Sequence, residues 1–401
     1  MGYFVLPKSN EIFDLSNFLT INDNKDFSIF CNKTLYEYLN KIKSKINNIQ
    51  HLWDKYKKFT NTYEYIHTNL PNTSNSICKY KPLSRSFFKM IEIGHTFKIF
   101  DNLPSDKCNS FHLAEGPGGF IEALVKVRNN LDDRYYGITL ESDSDYSIPG
   151  WAKSHYFLKN NKNVIIESGL TKDGDLLKSE NLIHYSDLYI NKFDLITGDG
   201  GFDFTIDYNK QEFYSLKLIY AQVAYAIACQ KTGGTFVIKM FDTFSLASLD
   251  ILYILSCAYT EIMFYKPQSS RSANSEKYII CKNFRIQERK NLVVEMIKII
   301  DRFDNISIPL RFLNIELPYK FICAIQEINA IYGQNQLETI HNTLQLINED
   351  KYEKLEIIKK NNISKVINWC HKFKLPYNKT LINSNSNSNS NSFYNLKNNS
   401  C

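Results

Sequence analysis

A lysine inside an apolar run needs a reason, and Lys239 stands in Phe236-Val237-Ile238-Lys239-Met240-Phe241. Two acids sit at comparable places. Asp199 follows the apolar stretch Phe193-Asp194-Leu195-Ile196-Thr197-Gly198 and precedes Gly200 and Gly201, and Glu276 opens the stretch Lys277-Tyr278-Ile279-Ile280-Cys281. Upstream, Phe111-His112-Leu113-Ala114-Glu115 runs into Gly116-Pro117-Gly118-Gly119 and then into Phe120-Ile121-Glu122-Ala123-Leu124-Val125. That order reads as strand, tight turn and helix. The glycines let the backbone approach a ligand, and the new helix N-terminus offers unsatisfied N–H groups.

The turn alone admits any nucleotide-like cofactor. A dinucleotide fingerprint wants a small residue three positions after Gly118, where Ile121 stands, and the Gly-Lys-Ser/Thr of a P-loop is absent. S-adenosylmethionine (SAM), which has no pyrophosphate to cradle, fits better, with a generic Rossmann turn as the alternative. In an open parallel sheet ligands bind beyond the carboxyl ends of the strands, where Asp199 and Lys239 both belong. Taken singly, each residue has a plainer reading. Lysine is usually solvated in a chain with 48 Lys and Arg, Asp199 could fix a turn, and Glu276 could pair with Arg271. It is their conjunction with the glycine turns that points to chemistry.

These segments, with Ser84-Arg85-Ser86-Phe87-Phe88-Lys89-Met90 and Ser270-Arg271-Ser272-Ala273-Asn274-Ser275-Glu276, resemble the FtsJ/RrmJ-like 2′-O-ribose methyltransferases. The resemblance is closest to the branch that methylates the first transcribed nucleotides of capped mRNA, and covers about residues 80 to 285. It implies a Lys-Asp-Lys-Glu tetrad, matched here by Lys89, Asp199, Lys239 and Glu276. Methyl transfer to a ribose hydroxyl needs the hydroxyl proton held or removed. A lysine does this when desolvation and a neighbouring cation make it less basic. Lys239 is the candidate base, Lys89 its neighbour, and the two acids orient them.

The resemblance also assigns binding roles. Ala114, Glu115, Gly116, Pro117, Gly118, Gly119 and Phe120 would wrap the methionine end and ribose of SAM, with Asp199 alongside. Leu140, ending Tyr136-Gly137-Ile138-Thr139-Leu140-Glu141, would reach the ribose or adenine. Gly174-Asp175 resembles the family element at the adenine edge, with Asp175 on the exocyclic amine or, more plainly, in a turn. Asn209 and Asn274 match positions that touch substrate in cap-methylating relatives, and Arg85, with Lys79 and Lys81, could hold phosphates. Candidates for stacking a methylated guanine are Phe202, Phe204 and Tyr80.

The elements that must position these groups alternate. Strands are expected near 110–114, 134–140, 163–167, 193–198, 234–240, 260–265 and 276–282, and helices near 85–98, 119–129, 210–230 and 244–257. That predicts an α/β fold, a Rossmann-like doubly wound, mostly parallel seven-stranded sheet of the class I SAM-methyltransferase type. Around the domain at 81–284 lie a helical N-terminal extension (1–80) and a helical C-terminal extension (285–379), then an Asn/Ser-rich tail (380–401) expected to be disordered. Trp53 reads as core.

Composition agrees. With 401 residues and 43% apolar content the chain can bury a real core, and its formal charge of +6 suits an RNA partner without indicating one. Nine cysteines without a Cys-x-x-Cys pair read as reduced thiols, and eight scattered histidines give no metal spacing. No run of 18 apolar residues is present, no signal-peptide pattern opens the chain, and Leu6 spoils a myristoylation motif, so no membrane role is expected. Abundant Asn and Lys suggest an AT-rich genome, such as that of a large DNA virus or a protist. The expected location is the cytoplasm, a virion if viral, or the nucleus. Three functions remain open: a cap ribose methyltransferase working with capped mRNA and other capping or transcription enzymes, a ribose methyltransferase of structural RNA, and a non-catalytic RNA-binding subunit. The intact tetrad argues against the last, while Ile121 and the lysine pair disfavour an oxidoreductase.

Overall fold

Long apolar stretches separated by turns pair into one sheet here. The computed structural model describes residues 2–8, 15–24, 28–71, 73–141, 148, 150–201 and 210–378. Asn209, Phe202, Phe204 and the Asn-Ser tail lie outside them.

In chain order the strands are β1 (Phe4–Val5), β2 (Leu19–Asn24), β3 (Asn109–Leu113), β4 (Arg134–Ile138), β5 (Val164–Glu167), β6 (Phe193–Gly198), β7 (Gln230–Met240), β8 (Tyr259–Tyr265), β9 (Lys277–Phe284) and β10 (Ile308–Leu313). The α-helices are α1 (Lys33–Ser44), α2 (Gln50–Thr60), α3 (Ser86–Thr96), α4 (Ile99–Asn102), α5 (Gly119–Arg128), α6 (His155–Asn160), α7 (Ser179–Leu188), α8 (Gln211–Cys229), α9 (Leu246–Ala258), α10 (Lys290–Ile300), α11 (Tyr319–Glu349) and α12 (Tyr352–Lys372).

The main sheet runs β1-β8-β9-β7-β6-β3-β4-β5. Pairing is parallel from β5 through β7, and β9 lies antiparallel to both β7 and β8. All six residues of β6 are buried, as in a strand covered on both faces. Helices α8 and α9 are buried along most of their length and supply much of that cover. The strand order reverses between β3 and β6, so the loops after Leu113 and Gly198 open side by side. That crevice is where an open α/β sheet binds its ligand.

Each of the seven expected strands is present, but the sheet has eight. The addition is β1, whose Phe4 and Val5 pair antiparallel with Phe264 and Met263. Two residues are too few to show a period in sequence. A second departure is the antiparallel ribbon of β10 and β2, which falls in segments expected to be helical. Its anchor is tertiary. Fully buried Asp250 of α9 accepts from Arg311 Nε at 2.8 Å and Nη2 at 3.1 Å, and from the backbone N–H groups of Phe312 (2.8 Å) and Leu313 (3.1 Å). Phe312 then stacks on Tyr220 of α8, ring centroids 4.3 Å apart.

The chain divides into two compact units, one of residues 1–49 and 83–341, the other of residues 50–82 and 342 onward. The first holds the sheet. In the second, α2 and α12 bury Trp53 and Trp369, Thr60 bonds Thr343, and Asn362 donates to the Phe59 carbonyl at 2.7 Å.

Asp250→Ala should cost about 3–5 kcal/mol, because it takes the carboxylate from the partly buried Arg311 guanidinium and from two buried backbone N–H groups. A urea midpoint indistinguishable from wild type would show that the β10 ribbon does not support the sheet unit.

Candidate active site

Four elements converge on one cluster at the carboxyl edge of β6 and β7. Lys89 lies on α3, Asp199 follows β6, Lys239 is the penultimate residue of β7, and Glu276 precedes β9. Because β9 runs antiparallel to β7, with Tyr278 opposite Lys239, the start of one strand meets the end of the other. Only that reversal lets a residue before a strand join residues that end strands.

Lys89 Nζ sits 2.7 Å from Glu276 Oε1 and 2.8 Å from Oε2. Lys239 Nζ donates to the Asp199 carbonyl at 2.6 Å and lies 3.4 Å from its Oδ1. Tyr278 joins the pairs: its hydroxyl donates to Asp199 Oδ1 at 2.7 Å and accepts from Lys89 Nζ at 3.4 Å. All four charged side chains are only 11–13% exposed, so these charges interact strongly. Burial opposes ionisation of Glu276, yet Lys89 and Lys239 overcome it and hold its carboxyl well below the usual range. Burial, then Asp199 and Glu276, push the Tyr278 phenol well above its usual range, so it stays a neutral donor.

Tyr278 is the residue that sequence reasoning missed. A signal existed: it stands two places after Glu276, and strand periodicity puts both on one face. A second missed residue is Glu92, one turn beyond Lys89 on α3. Its Oε1 accepts from the Tyr265 hydroxyl and the Gln268 N–H, each at 2.6 Å, and its Oε2 accepts from Ser269 at 3.0 Å. These bonds tie the helix bearing Lys89 to the loop that leads to Glu276.

The glycine turn lies beside this cluster. The Asp199 N–H donates to the Leu113 carbonyl at 3.3 Å, linking the two loops. Ala114 and Gly118 adopt φ of 52° and 100°, and the Gly118 N–H closes the turn on the Glu115 carbonyl at 2.6 Å. At Gly119 a side chain would meet Ser86 Oγ at 2.2 Å, so glycine there admits the start of α3. The Trp151 ring packs across the turn, 3.3 Å from where a Cβ on Gly118 would stand; nothing in the sequence pattern marked it.

Glu115 is incompletely paired. It is buried, its Oε1 accepts from the Phe120 N–H at 2.6 Å, and its Oε2 has no partner among the described residues. Burial, with the Asp199 carboxylate nearby, raises its pKa well above 4.5. A buried acceptor left open beside a turn closed by glycine fits a cationic ligand group, and the ammonium of SAM is one. Farther out, Gly174 at φ 67° lets its loop approach the Thr139 carbonyl, which a Cβ would meet at 1.9 Å. Leu140 is exposed at that edge. Asp175 is half-buried, accepts from the Leu177 N–H at 2.9 Å, and is raised in pKa by burial and then by Asp173.

The substrate candidates separate. Arg85 lies half-buried at the N-terminal end of α3, one turn before Lys89. The Asn274 side-chain oxygen accepts from Lys266 at 2.9 Å. Lys79, Tyr80 and Lys81 belong to the second compact unit.

Glu115→Gln keeps the bond to Phe120 and removes a buried charge. A folded pKa above 4.5 means that Glu115 favours folding below its unfolded value and loses that contribution as pH rises. Without ligand, the variant should therefore gain thermal stability over wild type, more at pH 8 than at pH 5, while calorimetry shows weaker SAM binding. An equal melting difference at both pH values would refute the assignment.

The model of the FtsJ-like methyltransferase family matches residues 82–284. Three relatives carry related names. The chain is 27% identical over 78% of its length to the zebrafish (Danio rerio) cap-specific mRNA (nucleoside-2′-O-)-methyltransferase 2. It is 30% identical over 51% to the type 1 enzyme of Ailuropoda melanoleuca, and 32% identical over 43% to the human one. It spans 43%, 26% and 21% of those proteins respectively, less than half of each. With the match running over half of the sequence, the chain belongs to the FtsJ-like methyltransferase family, whose cofactor is SAM.

Proposed function

We propose that this chain transfers a methyl group from SAM to the 2′-hydroxyl of an RNA ribose, in particular that of the first transcribed nucleotide of capped mRNA. The observation that carries the reading is the Lys89–Glu276 and Lys239–Asp199 pairing, joined through Tyr278 beside the glycine turn. The names of the relatives support the capped substrate.

When bound, SAM supplies an electrophilic methyl carbon on a sulfonium. The chain supplies position and proton handling. Asp199 holds Lys239 by its carbonyl and its carboxylate, so Nζ can move little. A ribose hydroxyl reaching this edge would meet Lys239, whose amine in its uncharged form would take the hydroxyl proton while the oxygen attacks the methyl carbon that bound SAM would supply. Lys89, fixed by both oxygens of Glu276, steers the same oxygen and keeps positive charge beside the developing alkoxide. Part of the rate comes from geometry, since oxygen, carbon and sulfur must stand in line. The helix N-terminus bearing Arg85 is the proposed entry for RNA phosphates, and other capping or transcription enzymes are the proposed partners.

Tritiated SAM offered with matched capped and uncapped RNAs should place label on the first ribose of the capped strand. Equal label on both RNAs, or label on a base, would remove the cap reading. Lys239→Ala should lower kcat by roughly 10²-fold or more while calorimetry shows unchanged SAM affinity. Tyr278→Phe should lower kcat by about tenfold, since it loses the hydroxyl's bonds to Asp199 and to Lys89. Near-full turnover in either variant would contradict the role given to that residue.

A further inference from the structure

Lys266 follows β8 and turns its ammonium beneath the segment that ends at Glu276. Nζ donates to the Asn274 carbonyl at 2.6 Å, to Asn274 Oδ1 at 2.9 Å and to the Glu276 carbonyl at 2.8 Å. An ammonium has three protons and no acceptor, so these three bonds saturate it. Among the described residues no carboxylate bonds it directly. Burial pushes its pKa down to about 7, against the field of Glu276. A largely buried cation satisfied by carbonyl oxygens alone is a costly way to close a loop, and an apolar side chain would cost less.

The geometry shows what the cost achieves. Glu276 is held at both ends, its carbonyl by Lys266 and its carboxylate by Lys89, with Ser270 Oγ donating to Oε1 at 2.7 Å. One residue before Asn274, the Ala273 carbonyl accepts from Gln336 of α11 at 2.8 Å. Lys266, Asn274 and Glu276 also line a small cavity with Asp242, Lys277 and Tyr332, so the segment has room to shift if the ammonium is lost.

We propose that Lys266 is a positioning residue for the tetrad: by fixing the backbone of Asn274 and Glu276, its ammonium sets where the Glu276 carboxylate meets Lys89. This rests on the methyl-transfer reading above for its kinetic consequence, though not for its structural one. Lys266 acts through Glu276, not on the ribose or on SAM.

Three variants test it: Lys266→Met, which removes the donors at similar length, Lys266→Gln, which retains two N–H donors, and Glu276→Gln. Lys266→Met should lower kcat by about tenfold or more, the scale of an ångström misplacement, with SAM affinity unchanged. Lys266→Gln should fall between Met and wild type. The Lys266→Met/Glu276→Gln double variant should be no slower than Glu276→Gln alone, because residues acting as a unit do not add. Independent, multiplicative losses would overturn the proposal, as would full kcat in the Met variant. Hydrogen exchange of the amides from Asn274 to Tyr278, which needs no substrate, should quicken in the order wild type, Gln, Met. Unchanged exchange would overturn the proposal even if the wild type failed to methylate capped RNA, a result that by itself sinks only the functional reading. Should the Met variant not fold, the Gln variant carries the same cycle and the same exchange measurement.

Discussion

Two lysine side chains can be kept nearly out of water in one site only where carboxylates meet them. In this protein Glu276 answers Lys89 and Asp199 answers Lys239, and the Tyr278 hydroxyl stands between the pairs. Removing one partner would leave a charge buried without compensation, which costs far more than the pair contributes. The surrounding architecture follows from that requirement. Helix α3 is tied through Glu92 to residues 268 and 269, and β9 reverses against β7 so that Glu276 arrives from the opposite direction.

The same edge tolerates an unfavourable acid. The Glu115 carboxyl is buried with a single hydrogen bond among the described residues, and both its burial and Asp199 oppose its ionisation. A fold selected only for stability would replace it. Its cost is understandable if the open oxygen receives a cationic partner, which would make the glycine turn a ligand loop. The glycines themselves divide their work. Gly118 adopts a backbone conformation that side chains resist, whereas Gly119 makes room for the helix bearing Lys89.

Support from outside the α/β alternation is also electrostatic. Asp250 is buried in α9 and gathers Arg311 with two backbone N–H groups, so β10 exists where helix was expected. Beyond Lys239 on β7, Lys43 of α1 pairs with Asp242 at 3.5 Å, and Asn329 exchanges hydrogen bonds with Thr243. Residues far apart in the chain thus brace the strand that carries the candidate base.

Sequence by itself determined the parts of this protein that are local. Apolar runs of fixed length gave all seven strands of the α/β region. The glycine turn and the acid-glycine turn were legible because glycines clustered between an apolar strand and a helix leave space that side chains would fill. Lys239 stood out because a charge in an apolar strand violates a pattern visible within six residues. Tertiary structure decided the rest. That Glu276 reaches Lys89 depends on the antiparallel reversal of β9, which no local period encodes. The two-residue β1 has no period of its own, and β10 is a strand because Asp250, sixty-one residues earlier, meets Arg311. Tyr278, Glu92 and Lys266 look in sequence like ordinary core or surface residues. They acquire roles only when the fold closes charges into a space with little water, where each hydrogen-bonding group must find a partner and long-range contacts decide which one.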